Sequence, residues 1–363
     1  MGKKRVTFEE LKKGMIVADD VYTLSNMLII QKKSIVNEKM LSKLRMYNIP
    51  ALNVMDIAND SALSSDDDVR VMTQTEKLRA TDDFKFFRKE FSAASAELEK
   101  CLRRAASRGM SLEDLDIIKD ITDKMLDNSL KLPHIFDMLH AMRDSSDSVY
   151  SHSINVAVIS AVLGKWLRFS AQDQQLLAMA GMLHDIGKLL IPENILHKAY
   201  KLTDKEYEII KSHTVKGYHL VKSLSLDAHM KYVVLMHHER CDGSGYPTGI
   251  KGDKIDKYAK IAAIADVYDA MTSSRVYRDM ICPFDVIDNF EKDGLQLYET
   301  EYIMTFLKNI ANTYIHSQVR LSNDVVGEII MLNSNKLAKP VIKAGRTFID
   351  LSKEPDLKID EIL

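Results

Sequence analysis

Three short signatures fix the character of this chain: "SLED" at Ser111, "SAQD" at Ser170 and "TDKE" at Thr203. Each places a hydroxyl residue three positions before a carboxylate. In that arrangement the first side chain caps a free N–H of a helix start, and the second reaches back to the capping residue. Apolar residues follow each signature at helical spacing, and from 111 to about 313 nearly every stretch carries a helical period. A bundle of helices is the architecture to expect. With 363 residues the chain is long enough for two or three domains.

The flanks have a different texture. Residues 1–58 alternate short β-rich runs ("MIVADDVYTLSNMLIIQKKSIV") with turn residues such as Ser25 and Asn26. A helical spacing follows in "NEKMLSKLRMYNI", and "PALNVMD" reads as a closing strand. A small α+β domain with a regulatory role is expected there. Residues 59–75 read as a polar linker, acidic over "NDSALSSDDD". Within a helical connector at 76–129, Phe84, Phe87, Phe91, Ala94, Leu98 and Cys101 recur at three- and four-residue steps, one seam of a long helix. That seam suits packing on its own domain; the same spacing also suits a homodimer. Residues 316–363 carry β-branched runs between polar turns and read as a hairpin or three-stranded β appendage. The fold class expected is mainly α, with these two smaller pieces at its ends.

Bulk composition narrows the partners. A net charge of −2 gives no basic surplus for a nucleic-acid polymer. The longest apolar run, 154–167, is too short and too interrupted (Asn155, Lys165) to span a bilayer of about 30 Å, so no membrane partner is expected. "MGKKRVTFEELKKGM" lacks the apolar segment of a secretory leader. Three scattered cysteines, Cys101, Cys241 and Cys282, suit a reducing cytoplasm.

Chemistry concentrates in the helical region. His152, the pair His184–Asp185, His213, the pair His237–His238, and Asp266 each sit within or beside an apolar helical stretch. Imidazole with carboxylate suits iron, manganese or zinc; the absence of thiolate argues against a structural zinc site. A lone histidine on such a face is ordinarily just a packed one, and the other histidines, His229 among them, are read that way. What carries weight is the ordered combination "HDIGKLLIPENIL", "KSHTVKG", "HHERCDGSGYPTG" and "ADVYDAMTSSRVYR". Gly187, after the His-Asp pair, looks like a helix C-cap.

Those four motifs, over about 130–315, resemble the HD-GYP family, cyclic di-GMP phosphodiesterases within the HD superfamily of metal-dependent phosphohydrolases. The resemblance implies an HD-type helical bundle over 130–315 with metals held between facing helices. It implies that Asp185 bridges two divalent transition metals, iron or manganese. His152, His184 and Asp266 would complete one, and His213, His237 and His238 the other. A third metal would need a carboxylate where this chain has Ser148. Lys188 would reach a phosphate oxygen or the leaving group, and Arg275 and Arg278 would contact phosphate. Gly245, Tyr246 and Pro247 would hold the nucleotide, with Tyr246 offering a ring for guanine. The implied activity is hydrolysis of cyclic di-GMP to linear pGpG, and onward to GMP, by a hydroxide bridging the metals. The alternatives are a weakly catalytic cyclic-dinucleotide-binding signalling protein, or a phosphodiesterase for another cyclic dinucleotide such as cyclic GMP-AMP.

Overall fold

The computed structural model describes residues 74–363 apart from 131–133, 143–147, 197, 199–201 and 273–281, together with most of 2–56. The chain divides into two compact units, 1–71 and 72–363. The acidic stretch 59–68 lies outside the described residues, as do Arg275 and Arg278.

In the first unit, β1 (Gly2–Thr7) runs antiparallel to the strand at Ala51–Asp56, with Val6 opposite Leu52. The expected closing strand is therefore present, and its partner is the N-terminal basic segment. Val21–Tyr22 pairs with Leu28–Ile30. Val6, Val17, Leu44, Leu52 and Val54 are buried in a core of this unit's own. The helical spacing in "NEKMLSKLRMYNI" falls largely outside the described residues.

The second unit is built on helices. In α1 (Asp82–Arg108) the whole Phe84–Phe87–Phe91–Ala94–Leu98–Cys101 seam is buried. It packs on α2 (Leu112–Ser129) and α3 (Val149–Trp166), so the seam is covered within the chain. Helix α2 begins with the expected capping box: Ser111 Oγ accepts the Asp114 N–H at 3.3 Å, and Asp114 accepts the Ser111 N–H at 3.0 Å. The same reciprocal pattern starts α4 (Ala171–Leu183) at Ser170 and α5 (Asp204–Lys211) at Thr203. Such caps each stabilise a helix by about 0.5–2 kcal/mol.

Helices α3 and α4 form the centre. Helix α3 is buried along most of its length and α4 over Leu177–Leu183, the pattern of helices surrounded by others. They approach closely because Gly181 has no side chain: a Cβ there would lie 2.7 Å from Ala157 Cα. A 3₁₀ turn (Ile186–Leu190) continues from α4. Then come α6 (His213–Val221), α7 (Ala228–Met236), α8 (Lys257–Thr272) and α9 (Thr300–Thr313). Gly187 is not a C-cap. It lies inside the 3₁₀ turn, where a Cβ would sit 1.9 Å from the His213 carbonyl oxygen, and its bareness lets that turn lie against the start of α6.

The C-terminal segment exceeds the expected hairpin. It forms a five-stranded antiparallel sheet, ordered Thr347–Asp350, Val341–Ala344, Val326–Met331, Gln318–Leu321, Ile359–Ile362. The last strand escapes a sequence reading because "KIDEI" has only short apolar content. Val319, Leu321, Ile329, Ile342 and Ile359 point inward and share one core with the helices. No helix among the described residues is long and apolar enough to cross a membrane.

Candidate metal centre

The candidate ligands sit where helices begin or end, or on faces turned inward. His152 is in the first turn of α3, after the N-cap Ser148, whose hydroxyl accepts the Ser151 N–H at 3.1 Å. His184 and Asp185 follow the end of α4, His213 opens α6, His237 and His238 follow α7, and Asp266 lies within α8. The fold brings all seven together.

The two oxygens of Asp185 face in different directions. Oδ2 is 3.3 Å from His184 Nε2 and 3.7 Å from His152 Nε2. Oδ1 is 3.3 Å from His213 Nε2 and 3.7 Å from His237 Nε2. Asp266 divides likewise: Oδ1 is 3.1 Å from His152 Nε2, and Oδ2 is 3.6 Å from His238 Nδ1. Two groups of donor atoms result, His152–His184–Asp185 and Asp185–His213–His237–His238, each within 4.8 Å of one another.

The ring orientations are fixed from behind. His184 Nδ1 meets the Gly181 carbonyl at 2.7 Å, His213 Nδ1 that of Ile210 at 2.7 Å, and His237 Nδ1 that of Val233 at 2.9 Å. His152 Nδ1 meets Asp269 Oδ2 at 2.7 Å, and Asn155 donates to the other oxygen of Asp269 at 3.0 Å. Nδ1 bonded to a carbonyl or carboxylate leaves Nε2 to face a cation, the support found behind metal-bound imidazoles. Asp269 and Asn155 were missed in the sequence. The signal for Asp269 was its place three residues after Asp266, on the same face of one helix.

Electrostatics prepare the donors. Burial pushes the His237 imidazolium pKa well down, with His238 and His184 adding to it, and burial pushes His213 down as well. His238 is pushed down to about 3, chiefly by burial. Burial would raise Asp185, but His184 and Lys188 outweigh it and hold the carboxyl well below the usual range. Neutral imidazoles and ionised carboxylates are the states that ligate. His152 is the exception. Burial opposes its charge, yet hydrogen bonds to Asp266 and Asp269 push it up to about 10. The donor set fits divalent metals on a further count. His184 Nε2 and Asp185 Oδ1 are buried with no hydrogen-bond partner among the described residues. Leaving such atoms unmatched costs about 1–3 kcal/mol each, and a cation facing each of them would remove that cost. Lys188 Nζ lies 2.5 Å from Asp185 Oδ2, at the edge of the same centre.

The glycine-rich loop is bolted to the histidine pair. Gly243 and Gly249 adopt φ of 87° and 65°, open to glycine at no steric cost. Gly245 serves a close approach to the chain itself: a Cβ would lie 2.5 Å from the His238 oxygen and 2.4 Å from Arg240 N. Tyr246 N–H donates to the His238 carbonyl at 3.2 Å, and the Tyr246–Pro247 peptide is cis. Buried Glu239 accepts both the N–H and the hydroxyl of Thr248, at 2.8 and 2.7 Å. The Tyr246 ring stacks on the His238 ring at 4.6 Å, so one of its faces is already covered. His229 lies apart from the metal ligands, bonded to Asp256 at 2.6 Å and stacked on Tyr258.

The region that carries this centre matches known proteins. Residues 130–300 match the family described as HD domain. A cyclic di-GMP phosphodiesterase of Pseudomonas aeruginosa is 30% identical over 66% of this chain and 58% of its own length. One from Thermotoga maritima is 36% identical over 48% of this chain and 47% of its own. A 3'3'-cGAMP-specific phosphodiesterase of Vibrio cholerae is 39% identical over 39% of this chain and 33% of its own. The chain thus spans well under two thirds of these relatives. Among solved structures, an HD-GYP-type protein of Bdellovibrio bacteriovorus superposes with a TM-score of 0.51 and 13% identity, covering 84% of this chain and 98% of that one; this likeness concerns the fold.

Proposed function

We propose that this chain, whose residues 130–300 match the HD-domain family, belongs to its HD-GYP branch and is a metal-dependent phosphodiesterase hydrolysing cyclic di-GMP to linear pGpG, and onward to GMP. The observation that carries the reading is the division of Asp185. A single carboxylate directs one oxygen at His152 and His184 and the other at His213 and His237, as a bridge between two cations requires.

Iron(II) or manganese(II) suits these hard and borderline donors, and Ser148, occupied as a helix cap, offers no carboxylate to a third ion. When bound, two such ions supply Lewis acidity for the phosphodiester and lower the pKa of water from about 15.7 toward about 7. The protein's own part is placement. His152, His184 and Asp266 hold one side, and His213, His237 and His238 the other, all on helices or at their ends, where the backbone is fixed. Lys188, already at the Asp185 carboxylate, carries a positive charge to the oxygen that becomes negative as the P–O bond breaks. Gly245, Tyr246 and Pro247 keep the nucleotide fixed relative to His238, and Arg275 and Arg278 are assigned to phosphate. The small domain at 1–58 is assigned a regulatory role, and the protein is assigned to the cytoplasm.

A second reading, hydrolysis of 3'3'-cGAMP, is favoured by the 39% identity to a Vibrio cholerae phosphodiesterase named for it. The test is anaerobic loading with Fe(II) or Mn(II), addition of each cyclic dinucleotide, and chromatography of the linear product. Turnover of cyclic di-GMP, lost on Asp185→Ala together with bound metal, is expected. Binding without product under either metal would leave a signalling receptor instead of an enzyme.

A further inference from the structure

Tyr246 is the ring that the sequence nominates for guanine, but His238 covers one of its faces. The exposed aromatic ring beside it belongs to Tyr207, on α5, which is 49% exposed despite its size. Helix α5 runs almost directly into His213, and its start is held firmly. Thr203 and Glu206 form the capping box, and Lys198 donates to both Glu206 oxygens at 2.7 and 2.6 Å. One turn after Tyr207 comes Lys211. Its ammonium lies over the Tyr207 ring, 5.3 Å from the centroid, and over the Tyr246 ring at 5.8 Å, so a base stacking on Tyr207 would move it to the base's edge. Tyr246 in turn meets the His213 ring edge-on at 6.4 Å. From buried His213 and part-buried His238 outward, the side chains therefore run Tyr246, Lys211, Tyr207.

We propose that Tyr207 and Lys211 form a guanine subsite, in which the purine stacks on the Tyr207 ring and the Lys211 ammonium donates to its O6/N7 edge. This rests on the phosphodiesterase reading. With one phosphate of a cyclic dinucleotide at the metals, its bases must lie on the surface immediately around them, and this is an exposed aromatic ring with a cation beside it there. Every base offers a face for stacking, so Tyr207 supplies affinity with little discrimination. Lys211 supplies the discrimination: guanine presents two acceptors on that edge, whereas adenine replaces O6 with an amino donor. Its present partner is Glu208 on the same helix, a carboxylate 68% exposed. Such a surface pair is weak and readily exchanged for a ligand.

The test uses Tyr207→Ala, Tyr207→Phe and Lys211→Met in the full chain. Each is read by kcat and KM for cyclic di-GMP and 3'3'-cGAMP, by metal content, and by calorimetric affinity for a phosphorothioate analogue of cyclic di-GMP. Tyr207→Ala should raise KM and the analogue's Kd about tenfold, the size of one base–aromatic stack. Its kcat and metal content should stay at wild-type level, and Tyr207→Phe should restore both affinities. Lys211→Met should shrink the preference for cyclic di-GMP over 3'3'-cGAMP about tenfold. Unchanged KM and Kd in Tyr207→Ala would overturn the subsite, and would leave α5 as a surface for some other partner. Loss of metal in that variant would equally overturn it, making Tyr207 a structural support. A wild-type protein that neither binds nor cleaves cyclic di-GMP would instead defeat the phosphodiesterase reading itself, whatever the variants do.

Discussion

Gly187→Ala tests how tightly the Asp185 carboxylate is held to the second set of imidazoles. The added Cβ would lie 1.9 Å from the His213 carbonyl oxygen, 2.6 Å from Gly217 N and 2.8 Å from the His213 carbonyl carbon. An ordinary carbon–oxygen contact is about 3.3 Å, so the 3₁₀ turn and α6 must part by roughly 1.4 Å, and every atom in the way is backbone. Asp185 and Lys188 ride on the turn and His213 on α6, so the 3.3 Å approach of Asp185 Oδ1 to His213 Nε2 opens with it. Overpacking of this kind costs about 1–3 kcal/mol of stability. That corresponds to a fall of roughly 2–12 °C in Tm. A misplacement near 1 Å costs about a hundredfold in turnover. Metal stoichiometry after dialysis, melting by circular dichroism and pGpG production are the assays. We expect one of two metals to be lost preferentially, with His152, His184 and Asp185 retaining theirs. Gly217→Ala is the graded control: its Cβ meets the Val234 side chain at 2.9 Å and the Gly187 nitrogen at 3.1 Å, a milder conflict. Two tightly held metals and an unchanged Tm in Gly187→Ala would refute the reasoning.

Three further outcomes are expected. In the metal-free protein His152 keeps its proton up to about pH 10, so a metal taking Nε2 must displace it; apparent affinity should rise about tenfold per pH unit between pH 6 and 8, with proton release seen by calorimetry in buffers of different ionisation heat, and a flat profile would contradict this. Glu239→Ala removes the acceptor for both Thr248 donors; the loop 243–249 should exchange its amide hydrogens about five- to 150-fold faster, by about 1–3 kcal/mol of lost anchoring, while unchanged exchange would show that the glycine turns suffice. The Asp114 carboxyl is depressed from 3.8 to about 2: burial opposes, and the Ser111 cap and Arg104 outweigh it. Its stabilisation is therefore complete above pH 3.8 and is lost as pH falls through about 2. Asp114→Asn should cost about 1–2 kcal/mol at pH 7, after discounting for the partly exposed arginines, and nothing near pH 1.5; a constant difference in urea midpoint across that range would contradict the linkage.

Most of the residues that the fold gathers were legible as candidates because they stand in four ordered motifs that resemble those of a known family. Histidine and aspartate beside apolar helical runs, in one order, leave few other uses. The capping boxes were legible because they are local, spanning three residues each. The supports were not. His152 and Asp269 lie 117 positions apart, and nothing in either neighbourhood announces the other. Gly187 resembled a helix C-cap because a glycine needed for close packing and one needed for a left-handed turn are the same letter. The same ambiguity hid the task of Gly245, which presses against the His238–Arg240 backbone.

The sequence by itself thus determined where helices start, which histidines and aspartates are candidates for metal, and that a stiff glycine-rich loop adjoins a histidine pair. Those properties follow from residue chemistry and short-range backbone preference. Only the tertiary structure decided which oxygen of Asp185 faces which imidazoles, which face of Tyr246 is covered, and that Tyr207 stands exposed beside Lys211. Each of those depends on how separate helices pack, and packing is set by the shapes of many distant side chains at once.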